Sequence, residues 1–154
     1  MKTLFIYYSH TGNGELVSQA LQEKGVAIRK VIRKKKLPKS FFWMIMSGGF
    51  LAGIKHKDKL VNFDKNIDEY DNIIVGSPIW NGRFSSPINT VLHQLDLSSK
   101  TISFVLYSGS GEANHALKRI NKEYPSSKVI ILKEPKKYPE QLKKLDELIL
   151  DPAI

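Results

Sequence analysis

The chain has 154 residues, of which 42% are hydrophobic and 25% charged, and its formal net charge is +9. That length fits one compact domain spanning residues 1–154, and the composition suits a chain that buries a core, which excludes disordered, collagenous and membrane-spanning classes. With no cysteine, a disulfide framework, a zinc knuckle, a cysteine nucleophile and a thiolate-held iron–sulfur cluster are excluded as well.

Thr3 to Tyr8 is a continuous apolar and aromatic run, which predicts a strand covered on both faces. It lacks the longer apolar stretch and small-residue cleavage site of a signal peptide, so the expected location is cytoplasmic. After the loop Ser9 to Gly14, apolar residues Leu16, Val17, Ala20 and Leu21 recur at helical spacing, and Gly25 supplies a stop. Val26 to Ile32 reads as a second strand, more polar than the first and so nearer a sheet edge.

From Lys24 to Lys57 there are ten Lys and Arg residues and no acid, while the rest of the chain carries 14 basic against 15 acidic residues. The basicity is therefore local and argues about one surface. It reads as a docking surface for a partner protein or a polyanion, as a peripheral membrane contact assisted by the neighbouring apolar run, or as lysines guarding a strand edge. Nucleic acid has no specific support, because neither a recognition helix nor an aromatic-interleaved basic face accompanies the charge. Leu37 to Lys59 lies where a crossover helix belongs, with Phe41, Phe42, Trp43, Met44, Ile45, Met46 and Phe50 as its core face; a flap over the site or a lipid-touching patch are the alternatives. Phe41 to Ile54 is too short to span a bilayer, and Ser47-Gly48-Gly49 interrupts it.

Asn72 to Gly76 is a buried-type third strand, followed by a loop from Ser77 to Ser86 and a helix opened by Pro87, with Ile88, Val91, Leu92 and Leu95 on one face. Ile102 to Tyr107 gives the fourth strand, Ser108 to Gly111 its loop, and Ala113, Ala116, Leu117 and Ile120 the helix after it. Val129 to Leu132 is the fifth strand, and Tyr138 to Leu150 a closing helix marked by Leu142, Leu145, Leu148 and Ile149. Buried strands alternating with amphipathic helices predict a five-stranded parallel α/β sheet in the doubly wound order 2-1-3-4-5. Ligands in such sheets sit outside the C-terminal strand ends, so the loops after strands 1, 3 and 4 carry the candidate site.

The first loop, Ser9-His10-Thr11-Gly12-Asn13-Gly14, precedes a helix, where free N–H groups and the helix dipole favour an anion such as a phosphate monoester. The same residue types also make an ordinary capped turn. It is not a Walker A loop, because no Gly-Lys-Ser/Thr follows, and it lacks the Gly-x-Gly-x-x-Gly of dinucleotide sites. A receiver domain would need an acidic phosphoacceptor where Val75-Gly76 stands. The second loop, Gly76-Ser77-Pro78-Ile79-Trp80-Asn81-Gly82-Arg83-Phe84, sets a large aromatic and a positive-φ-tolerant pair at the ligand edge; the tryptophan is either a ligand platform or core. The third, Ser108-Gly109-Ser110-Gly111, permits close backbone approach but is neither a nucleophile elbow nor a full dinucleotide fingerprint. His10, His56, His93 and His115 have no metal-ligand spacing, and no metal site is proposed.

Three such loops side by side describe a phosphate cradle next to an aromatic, backbone-lined slot, the requirements of FMN. Here the chain resembles the flavodoxin family: Ser9 to Asn13 is similar to its phosphate loop, Gly76 to Gly82 to its first flavin-ring loop, and Ser108 to Gly111 to its second, with Tyr70-Asp71 before strand 3. The resemblance implies a flavodoxin-like three-layer sandwich. It also implies 5′-phosphate contacts from Ser9, His10, Thr11, Gly12, Asn13 and Gly14, flavin-ring contacts from Pro78, Ile79, Trp80, Asn81 and Gly82, and lining of the pyrimidine side by Ser108, Gly109, Ser110 and Gly111. Position 14 is Gly where the motif commonly has Thr, and the chain is basic where carriers of this family are acidic. No catalytic residue is implied. The function expected is electron transfer on non-covalently bound FMN, to a redox partner docking through the basic surface 24–57. An NAD(P)H:quinone-type reductase and a non-redox polyanion binder are the alternatives.

Overall fold

The computed structural model describes residues 1–35 and 57–149. Its strands are β1 (Thr3–Tyr7), β2 (Ala27–Lys30), β3 (Asn72–Trp80), β4 (Arg83–Phe84), β5 (Thr101–Ser108) and β6 (Lys128–Lys133). The helices are α1 (Asn13–Gln22), α2 (Ser86–Gln94), α3 (Asn114–Glu123) and a 3-10 helix (Pro139–Leu145) that runs into the single turn α4 (Asp146–Ile149). The main sheet has the order β2-β1-β3-β5-β6, all parallel, with β4 paired antiparallel to β3 at one end. Apart from that added strand, this is the doubly wound order expected.

The continuous apolar runs are explained by the two faces they serve. Leu4, Ile6, Ile73, Val75, Phe104 and Leu106 point to one side and pack with Ile88, Val91 and Leu92 of α2 and Ala116 and Ile120 of α3. Their neighbours in sequence, Phe5, Tyr7, Ile74, Val105 and Tyr107, point to the other side and pack with Val17 and Leu21 of α1 and with Leu145. Each fully buried side chain of this size contributes about 1.5–3 kcal/mol of transfer free energy, and period-two alternation distributes that gain to both faces, giving three layers.

Four expectations are corrected. The third strand does not stop at Gly76 but continues to Trp80 and turns back into β4, with Ile79 opposite Phe84 and Trp80 opposite Arg83. Asn81 and Gly82 both have positive φ, 51° and 73°, the requirement of a tight hairpin turn. Pro78 is tolerated because β1 ends opposite Gly76, which leaves β3 one free edge beyond that point.

The second strand is shorter than Val26 to Ile32. After Val31 N–H donates to Tyr7 O (2.7 Å), the chain leaves β1, and Ile32 to Lys34 pair instead with Lys59 to Val61 (Lys34 N to Lys59 O 2.8 Å, Val61 N to Ile32 O 2.9 Å). The closing helix is mostly 3-10, which suits the three-residue spacing of Leu142, Leu145 and Leu148. The first helix begins at Asn13, inside the expected loop. The crossover-helix, flap and lipid-patch readings fall on residues 36–56, outside the described residues. No helix among the described residues is long and apolar enough to cross a membrane.

Candidate functional site

All three loops leave the C-terminal end of the sheet from neighbouring strands β1, β3 and β5. In the first, Gly12 adopts φ 95° and caps α1 without a side-chain hydrogen bond. The Ser9 hydroxyl accepts the Gly14 N–H at 3.0 Å, and Asn13 Nδ2 donates to Thr11 Oγ1 at 3.4 Å. The N–H groups of His10, Thr11 and Gly12 meet no acceptor among the described residues. This is an exposed turn whose donors are free for an anion, with a helix dipole worth about 0.3–1 kcal/mol behind them. The His10 and Thr11 side chains are exposed.

Gly14 is required by packing. A Cβ there would lie 2.5 Å from Ser9 Cβ and 2.8 Å from the Tyr107 hydroxyl. The space a threonine would use is filled by Tyr107, whose buried hydroxyl donates to Tyr8 O. Burial also pushes the Tyr107 phenol well above its ordinary pKa, so it stays a donor. Ser9 and Tyr107 thus leave no room for a side chain at position 14.

Glu15 is the acid of this turn. Burial raises its pKa, but Lys30, at 2.5 Å, and the Ser9 hydroxyl together hold it below the ordinary carboxylate range. Its charge is therefore met by Lys30 at the end of β2, which limits its repulsion of an anion in the loop.

The second and third loops meet in an open cleft of about 370 Å³ lined by Ile79, Asn81, Gly82, Ser108, Gly109 and Ser110, with Glu112, Asn114 and His115 from the start of α3. The Gly82 carbonyl accepts the Ala116 N–H at 2.9 Å, tying the hairpin tip to α3. At the hairpin base the buried hydroxyls of Ser77 and Ser85 lie 3.1 Å apart, and Ser77 Oγ also accepts the Ser85 N–H. The third loop closes on itself: Ser108 Oγ donates to Glu112 O at 2.7 Å, and Ser110 Oγ accepts the Glu112 N–H at 3.2 Å. Its polar walls suit the heteroatom edge of a planar ring.

Trp80 does not line this cleft. It is half-buried, packs against the core on the α2–α3 side and meets Tyr8 edge-on, with centroids 6.0 Å apart and planes at 88°. Pro78 and Gly111 also stand outside the lining, Gly111 at φ 82° beside Lys133. The structure thus brings the second and third loops together at the cleft and sets the first loop at the adjacent strand end.

Two residues of this region were not singled out from sequence. Tyr107 looked like ordinary core. Lys136, in the turn after β6, donates from its N–H to Asn13 Oδ1 (3.0 Å) and from Nζ to Thr11 O (3.4 Å). The signal available was the lysine-rich stretch Lys133 to Lys137 after the last strand, at the same end of the sheet as the site.

The sequence profile described as Flavodoxin matches residues 2–146. No curated protein matches. Among solved structures, a candidate flavoprotein from Bacteroides eggerthii DSM 20697 superposes with a TM-score of 0.70 at 20% identity, covering 96% of this chain and 98% of that one. A flavoprotein from Lactobacillus acidophilus NCFM in complex with FMN gives 0.66 at 21% identity, over 91% and 97%. A flavodoxin from the domain Archaea gives 0.53 at 16%, over 99% and 96%. At such identities the likeness of structures speaks for the fold alone.

Proposed function

The chain belongs to the flavodoxin family, and from that membership we propose that it binds FMN non-covalently and carries electrons between redox partners. The observation that carries the reading is the 370 Å³ cleft where Ile79 to Gly82 meet Ser108 to Ser110, one strand away from a turn with unpartnered N–H groups. A ring with a polar edge suits the first feature and a phosphate monoester the second. The FMN named for the Lactobacillus relative combines them.

When bound, the flavin supplies one- and two-electron redox chemistry that side chains lack. The chain's own residues would hold and orient it: the N–H groups of His10 to Asn13 and the Thr11 hydroxyl receive the phosphate, the Ser9 hydroxyl braces the turn through Gly14 N–H, and the polar walls around Asn81 and Ser108 receive the ring edge. Asn81-Gly82, at positive φ, lines the cleft, where its peptide group would face the ring edge. The tie between Gly82 O and Ala116 N fixes the far side of that turn. The proposed setting is the cytoplasm, and the proposed partner is a redox protein.

The test is the visible spectrum of the purified protein and titration of its apo form with FMN, FAD and riboflavin. Yellow colour and tighter binding of FMN than of riboflavin are expected. A colourless protein that takes up no flavin would overturn the reading.

A further inference from the structure

We propose that Lys136 is a phosphate-binding residue of this site, a cation that selects the phosphorylated flavin. The inference rests on the FMN reading above and concerns a residue outside all three loops. The chain after β6 turns sharply: Glu134 has φ 39°, and its carbonyl accepts the N–H groups of Lys137 (2.8 Å) and Tyr138 (2.9 Å). That turn carries Lys136 onto the first loop, where its N–H holds Asn13 Oδ1 and its ammonium reaches Thr11 O. The same nitrogen lies 3.6 Å from where a Cβ on Gly12 would stand. The ammonium is therefore beside the turn that bears the unpartnered N–H groups.

Its neighbours do not compete for that role. An ammonium has three protons, and a single 3.4 Å contact to a carbonyl uses one of them. Glu15, the acid of the turn, is already engaged by Lys30 at 2.5 Å. Lys133 and Lys137 stand near the ring of Tyr138 instead, 6.0 and 5.4 Å from its centroid. A phosphate monoester carries close to two negative charges at neutral pH, so one charge-assisted hydrogen bond at this exposed position corresponds to about a tenfold gain in affinity. A flavin without phosphate gains nothing from it.

The experiment titrates wild type, Lys136→Met and Lys136→Arg with FMN and with riboflavin, by quenching of flavin fluorescence at low and high salt, with apo-protein melting temperatures as the folding control. Lys136→Met should bind FMN about tenfold more weakly with riboflavin affinity unchanged and a flatter salt dependence, and Lys136→Arg should restore FMN binding. Unchanged FMN affinity in Lys136→Met, or equal loss of FMN and riboflavin, overturns the inference while leaving the FMN reading intact. A wild type that binds neither flavin, or both equally, overturns both.

Discussion

Two lysine-rich regions of this chain meet opposite fates. In the long basic run, each of the first four cations finds an acid from elsewhere: Lys24 pairs with Asp146 at 2.6 Å, Arg29 with Asp64 at 3.3 Å, Lys30 with Glu15 at 2.5 Å, and Arg33 with Asp58 at 2.7 Å. In the short run after β6, the acid within reach is Glu134, 3.9 Å from Lys137, and Lys136 turns to the loop before α1. At these four positions a concentration of charge along the sequence is met by carboxylates brought from elsewhere in the fold. The sign of a surface depends on which carboxylates the topology delivers to it.

The sharpest way to break this contrast is the Arg33–Asp58 pair, whose side chains are only 7% and 10% exposed. Asp58 also accepts a hydrogen bond from Ser86 Oγ at 2.6 Å, so it links the connector to the start of α2. Arg33→Met removes the guanidinium from that mostly buried carboxylate, and a loss of up to about 3–5 kcal/mol in urea unfolding is expected. The double variant Arg33→Met/Asp58→Leu should recover much of it. A loss below about 1 kcal/mol would mean that the pair behaves like an exposed one.

On the other side of the comparison, Gly14→Ala tests whether the anion turn is shaped by its packing. The added methyl meets Ser9 and Tyr107 at under 3 Å, and overpacking of this kind costs about 1–3 kcal/mol. Gly109→Ala, with nothing within 4 Å of the new atom, should leave stability within about 0.5 kcal/mol of wild type. Equal melting temperatures for the two variants would contradict the packing account.

A smaller effect is expected for Lys24→Met. The Lys24–Asp146 pair has side chains 37% and 46% exposed, and its loss should cost under about 1 kcal/mol and less still at high salt.

The smallest effect concerns pH. The Glu15 carboxyl titrates below its ordinary range when folded, so its stabilisation is present above the unfolded pKa and disappears as pH falls through the folded one. The melting-temperature gap between wild type and Glu15→Gln should therefore be open at neutral pH and close in acid. A gap constant with pH would assign Glu15 a role other than charge.

The order of the sheet was legible because each strand of the pattern is followed by a helical face, and connection handedness leaves few arrangements. The first and third loops were legible because glycine and hydroxyl residues stand where a buried strand gives way to a helix. The hairpin at Trp80 was not legible. Ser77-Pro78 reads as loop chemistry unless one knows that β1 stops opposite Gly76 and frees the edge of β3. The closing 3-10 helix was half-visible in the spacing of Leu142, Leu145 and Leu148, which also fits one side of an α-helix.

By itself the sequence determined the layers and pointed to the strand ends that carry the candidate site, because periodicity and glycine tolerance act over a few residues and are written in local order. Only the tertiary structure decided the charge of that site. Lys136 and Thr11 are 125 residues apart, Arg29 and Asp64 are 35 apart where they meet through Asp64 O, and pairing across such separations depends on how strands register and helices dock. No short window of sequence contains that information.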